Sequence, residues 1–425
     1  MEVAILPVPL RGAVSAIPSK SQAHRALICA ALADCPTRLE CGSISKDIEA
    51  TASCLSALGA EIRREQGGYT VYPLKQEEDG AVASLPCGES GSTFRFMLPI
   101  AGALGRKASF ILEGRMPERP LSPLYEELIR HGCTLSPQGS VPFCAEGKLT
   151  PGGFSLDAGV SSQFISGLLF ALPLLRGNSE LRLSGRLESF PYVELTLAML
   201  RTFGVHVAFE DRVFSIPGGQ TYRSPGTVRV EGDWSNAAFW LSAGAIGSGG
   251  VTCTGLDLLS PQGDRAILDI LQRFGASVQR NGSAAVTVSG GRLRGIEVDA
   301  RDIPDLVPIL AVAAAAAEGT TAIRNAGRLR GKESDRLAAV SDVLCGLGAD
   351  VREIEDGLLI FGSASLIGGR ASSWGDHRIA MAAAIAATVC AEAVVIQGAE
   401  AVNKSYPGFF DDLRTLGGSV QVLKE

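Results

Sequence analysis

The chain has 425 residues, of which 46% are hydrophobic and 20% charged, a length that allows two or three globular domains. Its net charge of -6 argues against a nucleic-acid-binding protein with a broad basic surface, but it leaves room for local basic pockets. The most apolar stretches, residues 306–317 and 379–390, are too short to span a membrane and are typical of buried helices.

The beginning of the chain has no basic segment ahead of its apolar residues, and Pro7, Pro9 and Pro18 interrupt it, so no signal peptide is predicted. The ten cysteines form no CxxC pair, and the four histidines do not fall at metal-ligand spacing. We therefore expect a cytoplasmic protein with reduced thiols and no metal site.

One short pattern recurs six times: Leu, two residues, a large residue, Gly, two residues and an aliphatic residue. Glycine at this place ends an amphipathic helix in the left-handed conformation, and a strand follows it. Six copies, 69 to 73 residues apart, predict six structural repeats. The glycines are Gly59, Gly132, Gly204, Gly275, Gly348 and Gly417.

Each repeat also contains a helix that is apolar on nearly every face, a pattern that predicts burial on all sides. The six helices are HRALICAALA from His24, STFRFMLPIAGALG from Ser92, SQFISGLLFALPLL from Ser162, SNAAFWLSAGAIG from Ser235, PDLVPILAVAAAAA from Pro304 and HRIAMAAAIAATVC from His377. Three repeats around three buried helices would form one globular domain. The sequence therefore predicts two similar α/β domains, with a linker near residues 230–233.

Polar residues precede or begin these helices, in residues 20–25, 89–95, 161–163, 233–236, 303–305 and 376–378. Ser and Asp are ordinary N-caps. Cations are not, because the helix dipole favours anions in the first turn by about 0.3–1 kcal/mol. Lys20, Arg25, Arg95 and Arg378 break this rule. A bound anion that accepts backbone N–H groups and pairs with these cations would account for them.

Paired charges also cluster in residues 115–120, 328–336 and 403–407, where the alternative interpretation is a solvated charged surface. Residues 327–333 resemble a phosphate-binding loop, but the spacing is one residue short and Glu333 replaces Ser or Thr. The chain has no GxSxG, GxGxxG or HExxH motif, which disfavours ATP, NAD and zinc chemistry.

Over nearly its whole length the chain resembles the 5-enolpyruvylshikimate-3-phosphate synthase family. The segments that carry the resemblance occur in the family's order: PSKSQAHRALICAAL, GESGSTFRF, GRMPERP, VSSQF, SFPYVELT, IPDL, LRGKESDRL, GDHRIAMA and VNKSYPGFF. The resemblance implies an α/β (α+β) fold of two similar globular domains, each with three βαβαββ-type repeats around buried helices. Residues 19–231 would form the first domain, and residues 232–425 with residues 1–18 the second.

The implied reaction moves the enolpyruvyl group of phosphoenolpyruvate to the 5-hydroxyl of shikimate 3-phosphate and releases phosphate, without a metal or organic cofactor. The resemblance assigns shikimate 3-phosphate binding mainly to the first domain, with Asp305 and Lys332 contributed by the second. The full set is Lys20, Ser21, Arg25, Ser161, Ser162, Gln163, Ser189, Tyr192, Asp305 and Lys332.

The residues implied to bind phosphoenolpyruvate are Lys20, Gly91, Arg119, Gln163, Arg336, Arg378 and Lys404. By the same resemblance, Asp305 would accept the proton of the 5-hydroxyl, and Glu333, with Lys20, would act at the enolpyruvyl methylene. This chemistry needs a base for the hydroxyl and a general acid that later becomes a base. Fixed cations would stabilise the leaving phosphate.

The chain departs from the family's pattern at two positions. Glu89 and Arg328 stand where the family often has Asn, and no binding role is carried over to Arg328.

Three alternatives stay open. UDP-N-acetylglucosamine enolpyruvyl transferases share the fold, but they have Lys-Asn in place of Lys20-Ser21 and usually a Cys in the loop that corresponds to residues 114–122. An RNA 3′-phosphate cyclase and a non-catalytic repeat scaffold are the others.

We expect a monomer with small-molecule substrates, no nucleic-acid or membrane partner, and closure of the two domains on substrate.

Overall fold

The computed structural model describes residues 1–75, 81–362 and 366–424. Contacts within the chain divide it into two compact units. An N-terminal unit comprises Pro18–Val230, and a C-terminal unit comprises Met1–Ile17 together with Glu231–Glu425. The domain boundaries predicted from the sequence lie one residue further along the chain.

The chain begins with two strands that belong to the C-terminal unit, β1 (Glu2–Leu6) and β2 (Gly12–Ser15). The helices of the N-terminal unit are α1 (Lys20–Ala31), α2 (Lys46–Ala57), α3 (Gly91–Leu104), α4 (Leu124–Arg130), α5 (Ser162–Ala171) and α6 (Phe190–Thr202). Its strands are β3 (Thr37–Glu40), β4 (Glu61–Glu65), β5 (Gly68–Tyr72), β6 (Ala83–Gly88), β7 (Ala108–Leu112), β8 (Cys133–Leu135), β9 (Phe143–Gly147), β10 (Gly153–Asp157), β11 (Ser179–Ser184), β12 (Ala208–Glu210), β13 (Val213–Ile216) and β14 (Thr227–Arg229).

The helices of the C-terminal unit are α7 (Trp234–Ile246), α8 (Ile267–Phe274), α9 (Val307–Ala315), α10 (Arg336–Gly346), α11 (His377–Ala387) and α12 (Phe409–Thr415). Its remaining strands are β15 (Val251–Thr254), β16 (Ser277–Asn281), β17 (Ala285–Ser289), β18 (Glu297–Asp299), β19 (Gly319–Arg324), β20 (Asp350–Ile354), β21 (Gly357–Gly362), β22 (Gly369–Ser372), β23 (Val394–Gln397) and β24 (Ser419–Lys424). Short 3-10 helices lie at Met116–Glu118, Leu172–Leu174, Gly263–Ala266, Pro304–Leu306, Gly327–Gly331 and Ala399–Lys404.

The described strands form six four-stranded sheets, and each sheet has one parallel pair followed by two antiparallel pairs. The sheet β6-β7-β9-β8 shows the pattern in chain order. β6 and β7 are parallel and joined through α3, then α4 leads into the hairpin of β8 and β9, and β9 pairs antiparallel with β7. This is the predicted βαβαββ repeat, and the sheets β10-β11-β13-β12 and β18-β19-β21-β20 repeat it without interruption.

The other three sheets borrow a strand from a distant part of the chain. In the N-terminal unit, β14 pairs parallel with β3 and completes the first repeat. In the C-terminal unit, β2 pairs parallel with β15, and β1 lies between β23 and β24. The beginning of the chain therefore completes two repeats of the C-terminal unit, which explains why residues 1–17 belong to it.

The six repeat glycines all have positive φ angles, between 73° and 110°, as the pattern predicts. Each follows an amphipathic helix (α2, α4, α6, α8, α10 or α12) by one or two residues. Only glycine takes this conformation without strain, so each can end its helix and turn the chain into the next strand.

The predicted buried helices correspond to α1, α3, α5, α7, α9 and α11, and they form the centre of two separate hydrophobic cores. Three predicted extents were too long. α5 ends at Ala171 and a 3-10 turn follows, because Pro173 cannot donate an α-helical hydrogen bond. Residues 304–306 are a 3-10 turn ahead of α9, and α11 ends at Ala387, after which Cys390 makes a β-bridge with Leu366.

None of the helices in the described ranges combines the length and the apolar character needed to cross a membrane.

Candidate active site

In the N-terminal unit, the start of α1 presents Lys20. Ser19 caps this helix by accepting a hydrogen bond from the Gln22 backbone (3.4 Å). The Lys20 ammonium forms an ion pair with Asp47 of α2, with 2.9 Å between Nζ and Oδ2. Both side chains are largely buried, so the pair fixes the ammonium in place. Asp47 was not predicted to belong to the site, because an acidic residue in the first turn of a helix is ordinary.

The Arg25 guanidinium is buried and bound entirely by neutral oxygens. It donates to the carbonyls of Ser21 (2.6 Å) and Tyr192 (2.7 Å), and to the hydroxyls of Thr196 (2.8 Å) and Ser166 (3.5 Å). Burial lowers the pKa of Arg25 to about 10, which leaves it charged at neutral pH. Among the described residues it has no carboxylate partner, and an uncompensated buried cation is costly unless an anion binds it.

The start of α5 holds Ser161, Ser162 and Gln163. Ser161 is the N-cap and accepts from the Gln163 backbone (3.3 Å), and Ser162 is buried. The Gln163 amide accepts from Arg95 (2.7 Å) and donates to the hydroxyl of Ser92 (2.9 Å). The amide thereby links α5 to the first turn of α3, which bears Ser92 and Arg95.

Ser189 stands immediately before α6 in a left-handed conformation, with φ 53° and ψ 34°. A non-glycine residue in this region is strained, and such strain is typical of functional positions. Ser189 is buried, and its carbonyl accepts from the Tyr192 backbone (3.1 Å). Tyr192 in turn accepts from Arg25, so three of the predicted shikimate 3-phosphate residues are connected.

Gly91 begins α3 and lies directly against Arg119. A β-carbon on Gly91 would come within 2.8 Å of the Arg119 guanidinium nitrogen Nη1. Glycine therefore lets the cation approach the N-terminus of a helix, where backbone N–H groups favour an anion. Nearby, the exposed Glu89 carboxylate lies against Gly114, since a β-carbon on Gly114 would meet its Oε1.

In the C-terminal unit, the predicted catalytic carboxylates are bound to one arginine. Arg336 of α10 is almost fully buried. Its guanidinium donates to Asp305 Oδ1 (2.9 Å), to Glu333 Oε2 (3.0 Å) and to Asp376 Oδ2 (2.8 Å). Burial opposes the charge of Arg336, but the three carboxylates outweigh this opposition and raise its pKa.

Two further cations complete this network. Arg378 of α11 donates to Asp305 Oδ2 (3.0 Å), and the Lys404 ammonium lies 3.6 Å from Glu333 Oε1. Each predicted catalytic carboxylate is therefore held between two cations, one on each oxygen. Asp376 caps α11 by accepting a hydrogen bond from the Arg378 backbone (2.9 Å), and it also accepts one from the Ser334 hydroxyl (3.2 Å). This role of Asp376 was not predicted from the sequence.

Two titratable groups of this unit have strongly shifted pKa values. Burial lowers the pKa of Lys332 to about 7. Burial, and then the charge of Asp305, raise the pKa of Asp264 to about 7, and Ser235 donates a hydrogen bond to this carboxyl group. Shifts of this size are enriched at functional sites. Arg328, to which no role was carried over, donates to the carbonyl of Arg301.

The structure thus brings Asp305, Glu333, Arg336, Arg378 and Lys404 into one network in the C-terminal unit. In the N-terminal unit the predicted residues form four smaller groups. The groups are Lys20 with Asp47; Ser21, Arg25, Ser189 and Tyr192; Gly91 with Arg119; and Ser161, Ser162 and Gln163 with Arg95.

Comparisons with known proteins agree with this chemistry. A family model described as EPSP synthase (3-phosphoshikimate 1-carboxyvinyltransferase) matches residues 6–413. The 3-phosphoshikimate 1-carboxyvinyltransferase of Clostridium kluyveri is 44% identical, over 98% of each chain. That of Clostridium acetobutylicum is 45% identical, again over 98% of each chain.

Solved structures give the same result. An EPSP synthase from Acinetobacter baumannii aligns with a TM-score of 0.82 and 26% identity, over 99% of this chain and 100% of that one. The enolpyruvyl transferase NikO from Streptomyces tendae aligns with a TM-score of 0.80 over 99% of this chain and 98% of that one. Its identity is 20%, so it shows similarity of fold alone.

Proposed function

The chain belongs to the EPSP synthase family of 3-phosphoshikimate 1-carboxyvinyltransferases and transfers the enolpyruvyl group of phosphoenolpyruvate to shikimate 3-phosphate; we propose that it does so with the residues described above. The fold of the chain, with two units of three βαβαββ repeats, is shared with the solved EPSP synthases. What the family leaves open for this chain is the role of each residue.

We propose that Asp305 accepts the proton of the 5-hydroxyl as this oxygen attacks C2 of phosphoenolpyruvate. A proton from Lys20 or Glu333 is added to C3, which becomes a methyl group. The tetrahedral adduct then expels phosphate, which takes up the proton held by Asp305, and a methyl proton returns to the group that supplied the proton to C3. Each proton therefore has a donor and an acceptor, and no cofactor is required.

The observation that carries this proposal is the binding of both carboxylates to Arg336. A cation on each oxygen fixes Asp305 and Glu333 in place, and for Asp305 it favours the ionised form that a base needs before it accepts a proton. Arg378 and Lys404 supply the positive charge that a leaving phosphate requires.

For shikimate 3-phosphate, the supporting observation is Arg25. Its guanidinium is buried and charged, and the described residues give it only neutral oxygens. A phosphate or carboxylate that reached the surrounding Ser21 and Tyr192 would supply the missing negative charge. We assign Ser161, Ser162, Gln163 and Ser189 to the same ligand because they surround the neighbouring helix starts.

The test is a phosphate-release assay with purified protein, phosphoenolpyruvate and shikimate 3-phosphate. We expect phosphate only when both substrates are present, and none when UDP-N-acetylglucosamine or unphosphorylated shikimate replaces the acceptor. Activity with UDP-N-acetylglucosamine would favour the other enolpyruvyl transferase reaction. Phosphate release from phosphoenolpyruvate alone would contradict the proposed transfer.

Asp305→Asn and Glu333→Gln test the two assigned carboxylates. We expect each to lower kcat by about 10²–10⁴-fold while the KM values change by less than about threefold, because the lost work is proton transfer. Matched controls are two exposed carboxylates of the same unit, Asp302→Asn and Glu355→Gln, which should keep normal turnover. Near-normal kcat in either Asp305→Asn or Glu333→Gln would remove that residue from the mechanism.

We further propose that the chain acts as a cytoplasmic monomer. Cys54 and Cys87 lie in the core with their sulfurs 3.7 Å apart, and in that compartment we expect both to be reduced thiols. Size-exclusion chromatography with light scattering tests the monomer, for which a mass near 44.3 kDa is expected.

A further inference from the structure

A buried chain of hydrogen bonds connects α1 to the N-terminus of α3 through α2. His24 of α1 contacts the Thr51 hydroxyl of α2, with 2.7 Å between Nδ1 and Oγ1. The Thr51 hydroxyl lies 2.7 Å from that of Thr93 in α3, and Thr93 donates to the N-cap hydroxyl of Ser90 (2.8 Å). All of these side chains are at most 1% exposed, so solvent cannot replace any link.

The donors and acceptors in this chain of hydrogen bonds can be arranged in only one order. The Thr93 proton is used on Ser90, so Thr93 must accept from Thr51. The Thr51 proton is then used as well, and Thr51 must accept from His24. A hydroxyl has one proton, so this order requires the neutral His24 tautomer with the proton on Nδ1.

The surroundings of His24 agree with this tautomer. Among the described residues, no hydrogen-bond partner lies at its buried Nε2, so a proton there would be unsatisfied. Burial also lowers the pKa of His24 to about 3, which keeps the ring neutral at physiological pH. The ring of Phe96 packs nearby in a T-shaped arrangement, at 6.5 Å between ring centroids.

Helix α2 also holds the neighbouring cation. Asp47 and Thr51 are four residues apart and therefore lie on the same face of α2. Asp47 pairs with Lys20, while Thr51 contacts both His24 and Thr93. One face of α2 thus fixes two elements that the family resemblance assigns to phosphoenolpyruvate: the Lys20 ammonium, and the helix start at which Gly91 meets Arg119.

We infer that Thr51 is a positioning residue, which keeps the N-terminus of α3 in register with α1. It acts through His24 on one side and Thr93 on the other, and it touches neither substrate. The inference rests on the proposed function, and on the phosphoenolpyruvate-binding roles that the family resemblance implies for Lys20 and Gly91. It assigns to α2 a part in the reaction that the family resemblance did not carry to it.

Thr51→Val tests this inference, because valine keeps the shape of threonine and removes the hydroxyl. We expect the KM for phosphoenolpyruvate to rise about tenfold, with the KM for shikimate 3-phosphate and kcat within about twofold of the wild type. Thr51→Ser restores the hydroxyl and should return the KM for phosphoenolpyruvate to within about twofold.

The matched control is Thr37→Val in the same unit. Thr37 is also fully buried, and its hydroxyl makes an equally short hydrogen bond with Ser224 (2.7 Å). Thr37 lies on strand β3, so this hydrogen bond does not connect helices. This variant should lower the melting temperature as Thr51→Val does, without changing either KM. An unchanged KM in Thr51→Val, an equal rise in Thr37→Val, or no rescue by Thr51→Ser would overturn the inference.

A second measurement does not depend on whether the valine variant folds. Nitrogen-15 spectra of histidine-labelled wild-type protein, assigned with His24→Gln, should show His24 protonated on Nδ1 alone and unchanged between about pH 5 and pH 8. Protonation on Nε2 would refute the direction of the hydrogen-bond chain. If the wild type releases no phosphate, the proposed function fails; if it does and these variants behave otherwise, only the inference fails.

Discussion

Replacing Lys332 by methionine should make the protein more stable near neutral pH, although it removes a charged residue assigned to the substrate. Lys332 follows the 3-10 helix Gly327–Gly331 and is partly buried. Its pKa falls from 10.5 to about 7 because burial disfavours the ammonium. Arg336 and Arg328 repel the charge as well, and the attraction of Asp305 and Glu333 does not compensate.

The sign of the effect follows from proton counting. Between about pH 7 and pH 10.5 the unfolded chain binds a proton on Lys332 that the folded chain has lost. The free energy of unfolding therefore rises with pH across this window, by about 1.4 kcal/mol per pH unit. Below about pH 7 the cost of the buried ammonium is fully present, and above about pH 10.5 it has disappeared. Because the Lys332 side chain is partly exposed, solvent reduces its pKa shift, and the pH range over which stability changes becomes narrower.

The assay is urea unfolding of the wild type and Lys332→Met at several pH values from about pH 6.5 to about pH 9.5, a range that begins below the window and covers most of it. The variant should be more stable by roughly 2–4 kcal/mol at pH 7, and this advantage should shrink steadily as the pH rises. Lys148→Met, which replaces an exposed lysine, is the control and should show no such trend. A stability difference that is absent at pH 7, or that does not change with pH, would refute the reasoning.

The same variant links stability to binding. A phosphate or carboxylate beside Lys332 would favour its charged form, so the wild type should take up a proton when shikimate 3-phosphate binds. We expect its KM for this substrate to increase above about pH 7, and Lys332→Met to have a higher KM without this pH dependence.

Three other changes test individual contacts. Gly91→Ala should raise the KM for phosphoenolpyruvate about tenfold and leave that for shikimate 3-phosphate within about twofold, because its β-carbon displaces Arg119; equal increases would contradict this. Asp376→Asn should destabilise the protein by about 1.5–3 kcal/mol in urea unfolding, because Arg336 loses its fully buried charged partner but keeps Asp305 and Glu333; a loss below about 1 kcal/mol would count against the network. Glu89→Gln should keep kcat within about threefold, because the exposed carboxylate is expected to face away from the phosphate; complete loss of turnover would show that its charge takes part in the chemistry.

The fold was largely predictable because it repeats. Periodic signals at six positions support one another, and the glycines at Gly59 and its five counterparts fulfil a backbone requirement that no other residue meets. The predictions that failed were local. Pro173 ended α5 early, and nothing in the periodic pattern marks residues 304–306 as a 3-10 turn.

The exchange of strands between distant repeats was not predictable from periodicity. β14 completes the first sheet and β1 the last, and each of these strands is short and isolated from its repeat in sequence. A strand of three to five residues has no signal that specifies its partner, since pairing depends on where the rest of the unit leaves an open edge. Only the resemblance placed the first residues in the C-terminal unit.

For the site, the sequence identified the cations because they break a rule, but it could not identify their partners. Lys20 and Arg378 stand in the first turns of helices against the helix dipole. In the structure each is balanced by a carboxylate, Asp47 for Lys20 and Asp305 for Arg378. An unfavourable cation at a helix start is therefore insufficient to imply a bound anion, because a carboxylate from another element can compensate for it.

The inference of a bound anion is best supported at Arg25. Because α1 begins at Lys20, Arg25 is its sixth residue and lies beyond the first turn. It is buried, however, and the described residues offer it only carbonyl and hydroxyl oxygens. Neutral acceptors satisfy its N–H groups but not its charge, and the cost of that charge is the reason burial lowers its pKa. The anion inferred from the pattern of helix starts is thus best supported at Arg25, where the family resemblance independently places shikimate 3-phosphate.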